Sequence, residues 1–495
     1  MIMMISDGFG SASETMGRDY AQQLGGKSYD WLSVLDELYV GVSRTKSSDT
    51  LVTDSAAGAT VFSCAKKTYN GAIAVTPDEK PCGTVLEAAK LKGYTTALVS
   101  TARITHATPA AFASHVVDRD MEVLIAEQLI GRNVLKNKVD LMFGGGRCFF
   151  LPNNTDGSCR TDSTNAWRLA ETLGYSLIDS RKSFDKLEST APLPLLGLFT
   201  SDHMSYEIDR NANIEPSLTE MTTKALDILY EHTRTSPQGF FIMVEGARID
   251  MAGHDNDPAA HLHDIIQYWE TVDAVRKFVD RHPDTSMVST SDHETGGLTI
   301  GIDPDYLWYP AVLQPVKKSA EVICREIKKL PESQRLYFVS HTVIPDYLGI
   351  KSSNNTASTM RIVNAVPAGS KKCKIAVGHV VSDLAHLGWS TGGHTGVDVG
   401  LYTYGQGVKD LKGNLENTQI GDFLASYLQV DLDPVTQRLE NETIVQDGFS
   451  WTRNPPSIIL RRDGHDDQPI SGLNSDFEYH EKIDPYHPHY HRHNH

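Results

Sequence analysis

Residues 240–257 read FFIMVEGARIDMAGHDND. The hydrophobic, strand-like run Phe240–Val244 ends in a carboxylate, Glu245, and the turn beyond it carries Asp250 and His254. The same form recurs along the chain. Met1–Ile5 runs into Asp7, Leu51–Thr53 into Asp54 and Ser55, Thr95–Thr101 into His106 and Thr108, and Ser286–Ser289 into Asp292 and His293, with His394 arriving late between glycines. Ligands gathered at the carboxyl ends of several strands are where an open α/β sheet builds its site.

Alternating strand and helix patterns fill residues 1 to about 295. They predict an α/β fold in three α/β/α layers, a central, mostly parallel sheet with helices on both faces. The clearest helix spans Ala259–His282, where Leu262, Ile265, Trp269, Val272 and Val275 recur at three- and four-residue steps. A short helix over 83–92 (GTVLEAAKLK) stops at Gly93. Between His293 and His394 about a hundred residues intervene, opening with Gly, Asp and Pro, and 298–390 reads as a subdomain inserted between two site residues. The helix Ile420–Leu428 closes a catalytic domain of residues 1–430, and 431–495 reads as a polar, partly disordered tail ending HPHYHRHNH.

Lys and Arg number 46 against 63 Asp and Glu, a net charge of −17, which argues against nucleic-acid readout or attraction to an acidic membrane. An anionic substrate must then be drawn by a local positive site, which metals can supply. No uninterrupted apolar stretch has membrane-spanning length. The six cysteines form no C-x-x-C pair, which sets zinc-ribbon chemistry aside, and their pairing is left open. Cys148 and Cys159 bracket a turn-rich segment, and sequons begin at Asn153, Asn354 and Asn441. Together these point to an oxidising, luminal compartment. The chain opens inside a strand, so a targeting segment is expected upstream of Met1.

Each candidate residue has a commoner fate beside its chemical one. Asp7, followed by Gly8 and Gly10, sits at a strand end as a metal ligand or as a helix cap. Ser55 in TDSAAGATVF stands at the start of a helix of small residues, as a cap or as a nucleophile beside the helix's positive end. It has no local base, so a metal must activate it. Asp250 and His254 are spaced to share a borderline ion such as zinc, while Glu245 suits a harder, oxygen-preferring one. His394 alone reads as a loop histidine; with Asp250 and His254 it completes three ligands and leaves a fourth position open, as catalytic zinc does. Arg119 can grip two phosphate oxygens or can pair with Asp54 or Asp118.

The motifs TDSAAGAT, HATPAAF, EGARID…H, SDHETGG and TGGHTG resemble those of the alkaline phosphatases in order and spacing over about residues 1–405, most closely the fungal vacuolar members. The resemblance implies two zinc ions, one on Asp250, His254 and His394 and one on Asp7, Asp292 and His293, with magnesium on Asp7, Thr108 and Glu245 and His106 beside it. It implies a crown-like inserted subdomain, phosphorylation of Ser55, a phosphate clamp at Arg119, and hydrolysis of small phosphate monoesters with broad specificity. It also implies a homodimer, a vacuolar location and membrane contact only through an upstream anchor. Three divalent ions, four carboxylates and Arg119 leave about three positive charges facing substrate.

Bacterial relatives commonly carry Asp where this chain has His106 and Lys where it has Met251, and animal enzymes carry His at both. Met251 donates no hydrogen bond, so product phosphate is expected to be held less tightly. A sulfatase is disfavoured because Ser55 is followed by Ala-Ala-Gly. A non-catalytic metal-binding protein using the C-terminal histidines is disfavoured because Ser55 and Arg119 are both present.

Overall fold

The computed structural model describes residues 1–445 except 305 and 352–354; the histidine-rich tail and the sequon at Asn354 lie outside the described residues. In chain order the strands are β1 (Ile2–Ile5), β2 (Tyr39–Arg44), β3 (Thr95–Arg103), β4 (Leu141–Gly145), β5 (Ser176–Ile178), β6 (Leu195–Leu198), β7 (Phe240–Glu245), β8 (Ser286–Thr290), β9 (Glu294–Thr295), β10 (Leu298–Ile300), β11 (Leu387–Trp389), β12 (His394–Thr395), β13 (Val399–Gly405) and β14 (Gly413–Glu416). Ten of them form one sheet in the order β14-β2-β13-β8-β1-β7-β3-β4-β6-β5. Every neighbouring pair from β8 to β5 is parallel. β13 runs antiparallel to both β8 and β2.

The continuous apolar runs follow from burial on both faces. Ile2 and Met4 of β1, Val99 of β3 and Ile242 of β7 enter one core; Met3 and Ile5, Leu98 and Met243 enter the other. The first core is capped by the helices Leu218–Thr233 and Pro258–Arg281, the second by Ser55–Cys64, Val85–Lys92 and Asn417–Leu428. The helix read at Ala259–His282 is thus displaced by one residue, with Asp257 as its cap, accepting from the N–H groups of Ala259 and Ala260.

Two sequence expectations need correction. Leu51–Thr53 is not a strand: Leu51 is 78% exposed and the segment only leads into the cap of the next helix. Residues 431–445 are not tail. A helix, Asp433–Val445, lays Val435 and Leu439 onto Ala88, Val134 and Leu135, and Gly83 donates its N–H to Thr436. Two apolar residues four apart in a polar sequence were too sparse a stripe to read.

Within residues 298–390, β10 and β11 pair antiparallel and bring the two ends of the insertion together. Four α-helices lie between them, Ala320–Lys329, Glu332–Phe338, Thr356–Ala365 and Ser370–Ala385. Their apolar faces, including Ile323, Val377 and Val380, are continuous with the first core. Disulfides join Cys64 to Cys82, Cys148 to Cys159 and, within the insertion, Cys324 to Cys373.

Glu14, on the helix Ser11–Gln23, is buried and accepts hydrogen bonds from Ser33 and Trp269. Burial pushes its carboxyl from 4.5 up to about 7. A raised acid binds its proton more tightly when folded, so stability is lost as pH rises from the unfolded value through about 7. Glu14→Gln is expected to gain on wild type by about 3 kcal/mol between pH 5 and pH 8, seen as a widening Tm difference. A difference independent of pH would show that Glu14 does not titrate there.

Candidate active site

Sheet register assembles the carboxylates. Ile5 of β1 pairs with Glu245 of β7 and with Thr290 of β8. Asp7 and Asp292, each two residues beyond a paired position, therefore emerge together beside Glu245 at one end of the sheet. Gly8 has φ +76, and a Cβ there would lie 2.5 Å from the Asp250 Cα, so glycine is what lets the next ligand segment approach. Gly58 serves the helix of Ser55 in the same way, since a Cβ there would meet the Asp292 Cβ at 2.9 Å.

The histidines are oriented by backbone carbonyls and one hydroxyl. His254 donates its Nδ1–H to Gly392 O (2.9 Å) and His394 donates its Nδ1–H to Thr53 O (2.8 Å). A carbonyl only accepts, so Nδ1 carries a proton in each ring and Nε2 is the atom turned into the cluster; the two Nε2 atoms lie 3.1 Å apart. Asp250 lies 3.4 Å from His254 Nε2 and 3.5 Å from His394 Nε2. Thr295 spends its own proton on Asp250 (2.5 Å) and accepts from His293 Nδ1 (3.2 Å). His293 thus turns Nε2 toward Asp7 (3.5 Å), Asp292 (3.3 Å) and the Ser55 hydroxyl (3.1 Å).

Ser55 is the first residue of its helix and Asp54 is the cap, accepting from Ala57 N–H at 2.9 Å. The serine hydroxyl is therefore not committed to capping. The other Asp54 oxygen accepts from Gly71 N–H (2.9 Å) and from Arg119 (3.0 Å), and Arg119 also donates to His106 Nε2 at 3.1 Å. Of the two alternatives for Arg119 the structure shows the ion pair: it is paired with Asp54, which caps the helix of Ser55, and that pair holds it beside this helix.

Three groups bring one ligand atom from each member within 4.8 Å of one another: Asp250, His254 and His394; Asp7, Asp292 and His293; and Asp7, His106 and Glu245. Their donor chemistry fits divalent cations. Both Asp7 carboxylate oxygens, one oxygen each of Asp292 and Glu245, and the Thr108 hydroxyl are buried without a hydrogen-bond partner. The Nε2 atoms of His254 and His394, 3.1 Å apart, are close enough to share one cation. Burial, and then neighbouring Asp292, Asp250 and Glu245, push Asp7 well above the usual carboxylate range; burial lifts Glu245 to about 7 and Asp292 to about 6. Burial lowers His254 to about 4 and holds His293 well below its ordinary value, which keeps both rings neutral and able to ligate.

A family model described as alkaline phosphatase matches residues 1–430. The chain belongs to the alkaline phosphatase family. It is similar to the alkaline phosphatase of Schizosaccharomyces pombe, 44% identical over 457 residues that take in 90% of this chain and 84% of that protein. It is similar also to the repressible alkaline phosphatase of Saccharomyces cerevisiae, 40% identical over 472 residues, 89% of this chain and 83% of that one. The crystal structure of Thermus thermophilus alkaline phosphatase, 30% identical, superposes with a TM-score of 0.76 over 87% of this chain and 91% of that chain. As a member of the alkaline phosphatase family the chain is an enzyme, a phosphoric monoester hydrolase with the mostly parallel α/β sheet of its structural neighbours.

All the residues nominated from sequence converge at this end of the sheet, Thr108, on the short helix Ala107–Ala110, lying with its buried hydroxyl beside Glu245. His106 Nε2 is met by Arg119, which makes it a partner of that guanidinium as well as a neighbour of Asp7 and Glu245. Sequence reading missed the residues that orient these groups. Thr295 bridges Asp250 and His293, and Ser100, paired with Glu245 across β3 and β7, donates to that carboxylate. Thr295 lies within SDHETGG and was the one signal available.

Proposed function

We propose that this chain hydrolyses small phosphate monoesters of broad structure through a phosphoserine on Ser55, using metals held by the three ligand groups. The observation that carries the reading is the Ser55 hydroxyl at a helix start, 3.1 Å from His293 Nε2, which itself faces Asp7 and Asp292, whose buried oxygens include three without a hydrogen-bond partner. Asp250, His254 and His394 would hold one zinc, Asp7, Asp292 and His293 a second, and Asp7, Glu245 and Thr108, with His106 adjacent, a magnesium. Bound there, such ions supply Lewis acidity that lowers a hydroxyl's pKa and offsets charge on phosphoryl oxygens and on a leaving alkoxide.

The chain's own groups position the reaction. Arg119, fixed by Asp54, offers parallel N–H donors to two phosphoryl oxygens, and the positive end of the helix Ser55–Cys64 lies under the third. In the first displacement the Ser55 Oγ–P bond forms as the ester P–O bond breaks, and the alcohol leaves with the proton given up by Ser55. In the second, water displaces Ser55 and inorganic phosphate departs. Nothing in this machinery grips the alcohol, which is the basis for broad specificity.

The cellular setting belongs to the same reading. Fungal relatives, three disulfides and exposed sequon residues Asn153 and Asn441 support a glycosylated protein of the secretory lumen or vacuole. Among the described residues no helix is long and apolar enough to cross a membrane. A homodimer is the assembly we expect.

The test is p-nitrophenyl phosphate hydrolysis by protein stripped with EDTA and then given back zinc and magnesium. Turnover that is lost and restored supports the reading; full turnover after verified stripping rejects it. Met251 gives a finer prediction. Its sulfur accepts from Arg248 at 2.9 Å and offers phosphate no donor. Met251→His is expected to lower the inhibition constant for inorganic phosphate by about tenfold, the value of a hydrogen bond to a charged group. An unchanged constant would remove Met251 from the account of product release.

A further inference from the structure

The two limbs that carry His254 and His394 are far apart in sequence, and one side chain ties them. Asn256 is 4% exposed and sits at φ +50, a conformation asparagine tolerates. Its amide nitrogen donates to Gly253 O on the limb of Asp250 and His254 (2.9 Å) and to Thr391 O on the limb of His394 (2.9 Å). Two carbonyl acceptors need the NH2 group, so the amide has only one orientation.

That orientation is enforced from the inserted segment. Asn256 Oδ1 accepts from His379 Nε2 at 3.0 Å. His379 can donate there because its Nδ1 accepts from Arg361 at 2.9 Å, and Arg361 is itself paired with Asp383 at 2.6 Å. Burial, then the charge of Arg361, lowers His379, which matches one nitrogen donating and one accepting. Every donor and acceptor in the relay Asp383, Arg361, His379, Asn256 has one direction. It runs from an exposed ion pair to both limbs.

The contact is a designed fit at the backbone as well. A Cβ on Gly378 would lie 2.3 Å from Asn256 O, so glycine lets the insertion's helix seat directly on this turn. Lys374 pairs with Asp255 at 3.1 Å, and Asp257 accepts from Ala320 N–H at 2.6 Å, so the insertion holds the residues on either side of Asn256 too. The Cys324–Cys373 disulfide joins the two helices that supply these contacts.

We propose that Asn256 is the positioning residue of the Asp250, His254 and His394 group, and that the inserted segment sets the metal affinity of that group through His379. This rests on the reading above that the group holds zinc. Partners beyond the ligands typically change metal affinity by about 10- to 100-fold, because they fix ligand orientation before the ion arrives.

The experiment measures zinc bound per chain after dialysis of the full protein against a graded series of zinc buffers. It uses Asn256→Gly, which keeps φ +50 accessible, His379→Leu and His379→Gln, with Asp250→Ala as reference. Lys318→Gln, which removes the Lys318–Glu326 pair and the contact of Lys318 with the Tyr347 ring elsewhere in the insertion, is the control. Asp250→Ala is expected to lose one zinc. Asn256→Gly and His379→Leu are expected to raise the dissociation constant of one zinc by about tenfold and leave the others unchanged. His379→Gln, which keeps a donor, is expected to restore it. Wild-type zinc binding in Asn256→Gly and His379→Leu beside a loss in Asp250→Ala would overturn the inference alone. Unchanged zinc in Asp250→Ala would overturn the reading beneath it, and the inference with it. A uniform loss from every site would reduce Asn256 to a general stabilising residue and reject the positioning role.

Discussion

Ser55→Ala is expected to lower kcat/KM for p-nitrophenyl phosphate by about 10³-fold or more, with metal content and Tm unchanged. The substitution removes one oxygen, whose hydrogen bond is to His293. The helix keeps its cap, because Asp54 and not Ser55 accepts from Ala57. Loss of activity can therefore be assigned to the nucleophile and not to the fold. Arg119 and the helix end remain, so residual turnover by direct attack of water is expected. Acid quenching during steady-state turnover should trap phosphate on wild-type Ser55 and none on the variant. Retention of more than about a tenth of the activity would mean that another group attacks phosphorus.

Stripping the metals is expected to abolish turnover and to create a pH-dependent instability. Asp7 is raised well above the usual carboxylate range, Glu245 to about 7 and Asp292 to about 6, with burial the first cause in each case. Raised acids contribute stability while protonated and lose it as pH climbs through the folded values. The stripped protein should therefore lose Tm between about pH 4 and pH 7, while the loaded protein should not. At a hundredfold excess over Kd each filled site contributes about 2.7 kcal/mol. Calorimetry at pH 5 and pH 8, with and without zinc and magnesium, reads the effect. A gap between stripped and loaded protein that does not widen with pH would show that these carboxylates do not face one another unneutralised.

Much of the site could be read from sequence because its ligands follow runs that cannot be anything but buried strands. Asp7, Glu245 and Asp292 each close such a run, and a parallel register puts their ends side by side. Ser55 is nominated in the sequence for a partly wrong reason. The chain before it is an exposed lead-in and not a strand, but the cap and small-residue helix signals were sufficient. What sequence did not reveal acts through groups every residue carries. The carbonyls of Gly392 and Thr53 set two histidine tautomers, and no side-chain pattern marks a carbonyl. Asn256 lies within MAGHDND and reads as loop until His379, over a hundred positions later, is seen to hold it. The helix Asp433–Val445 was lost for a related reason, since its apolar stripe is complete only against Ala88, Val134 and Leu135.

The place of β1 in the sheet has a consequence for biosynthesis. Ile2 pairs with Ile242 on one side and with Met287 on the other. At about 5–20 residues per second, the ribosome takes on the order of ten seconds or more to deliver the second partner after the first strand has emerged. Throughout that interval an uncharged apolar run is without its neighbours, and the cell must shield it from association with other nascent chains. His394 is made later still, so the Asp250, His254 and His394 group cannot be complete until most of the chain has left the ribosome. A metal held by that group would be acquired only after that point.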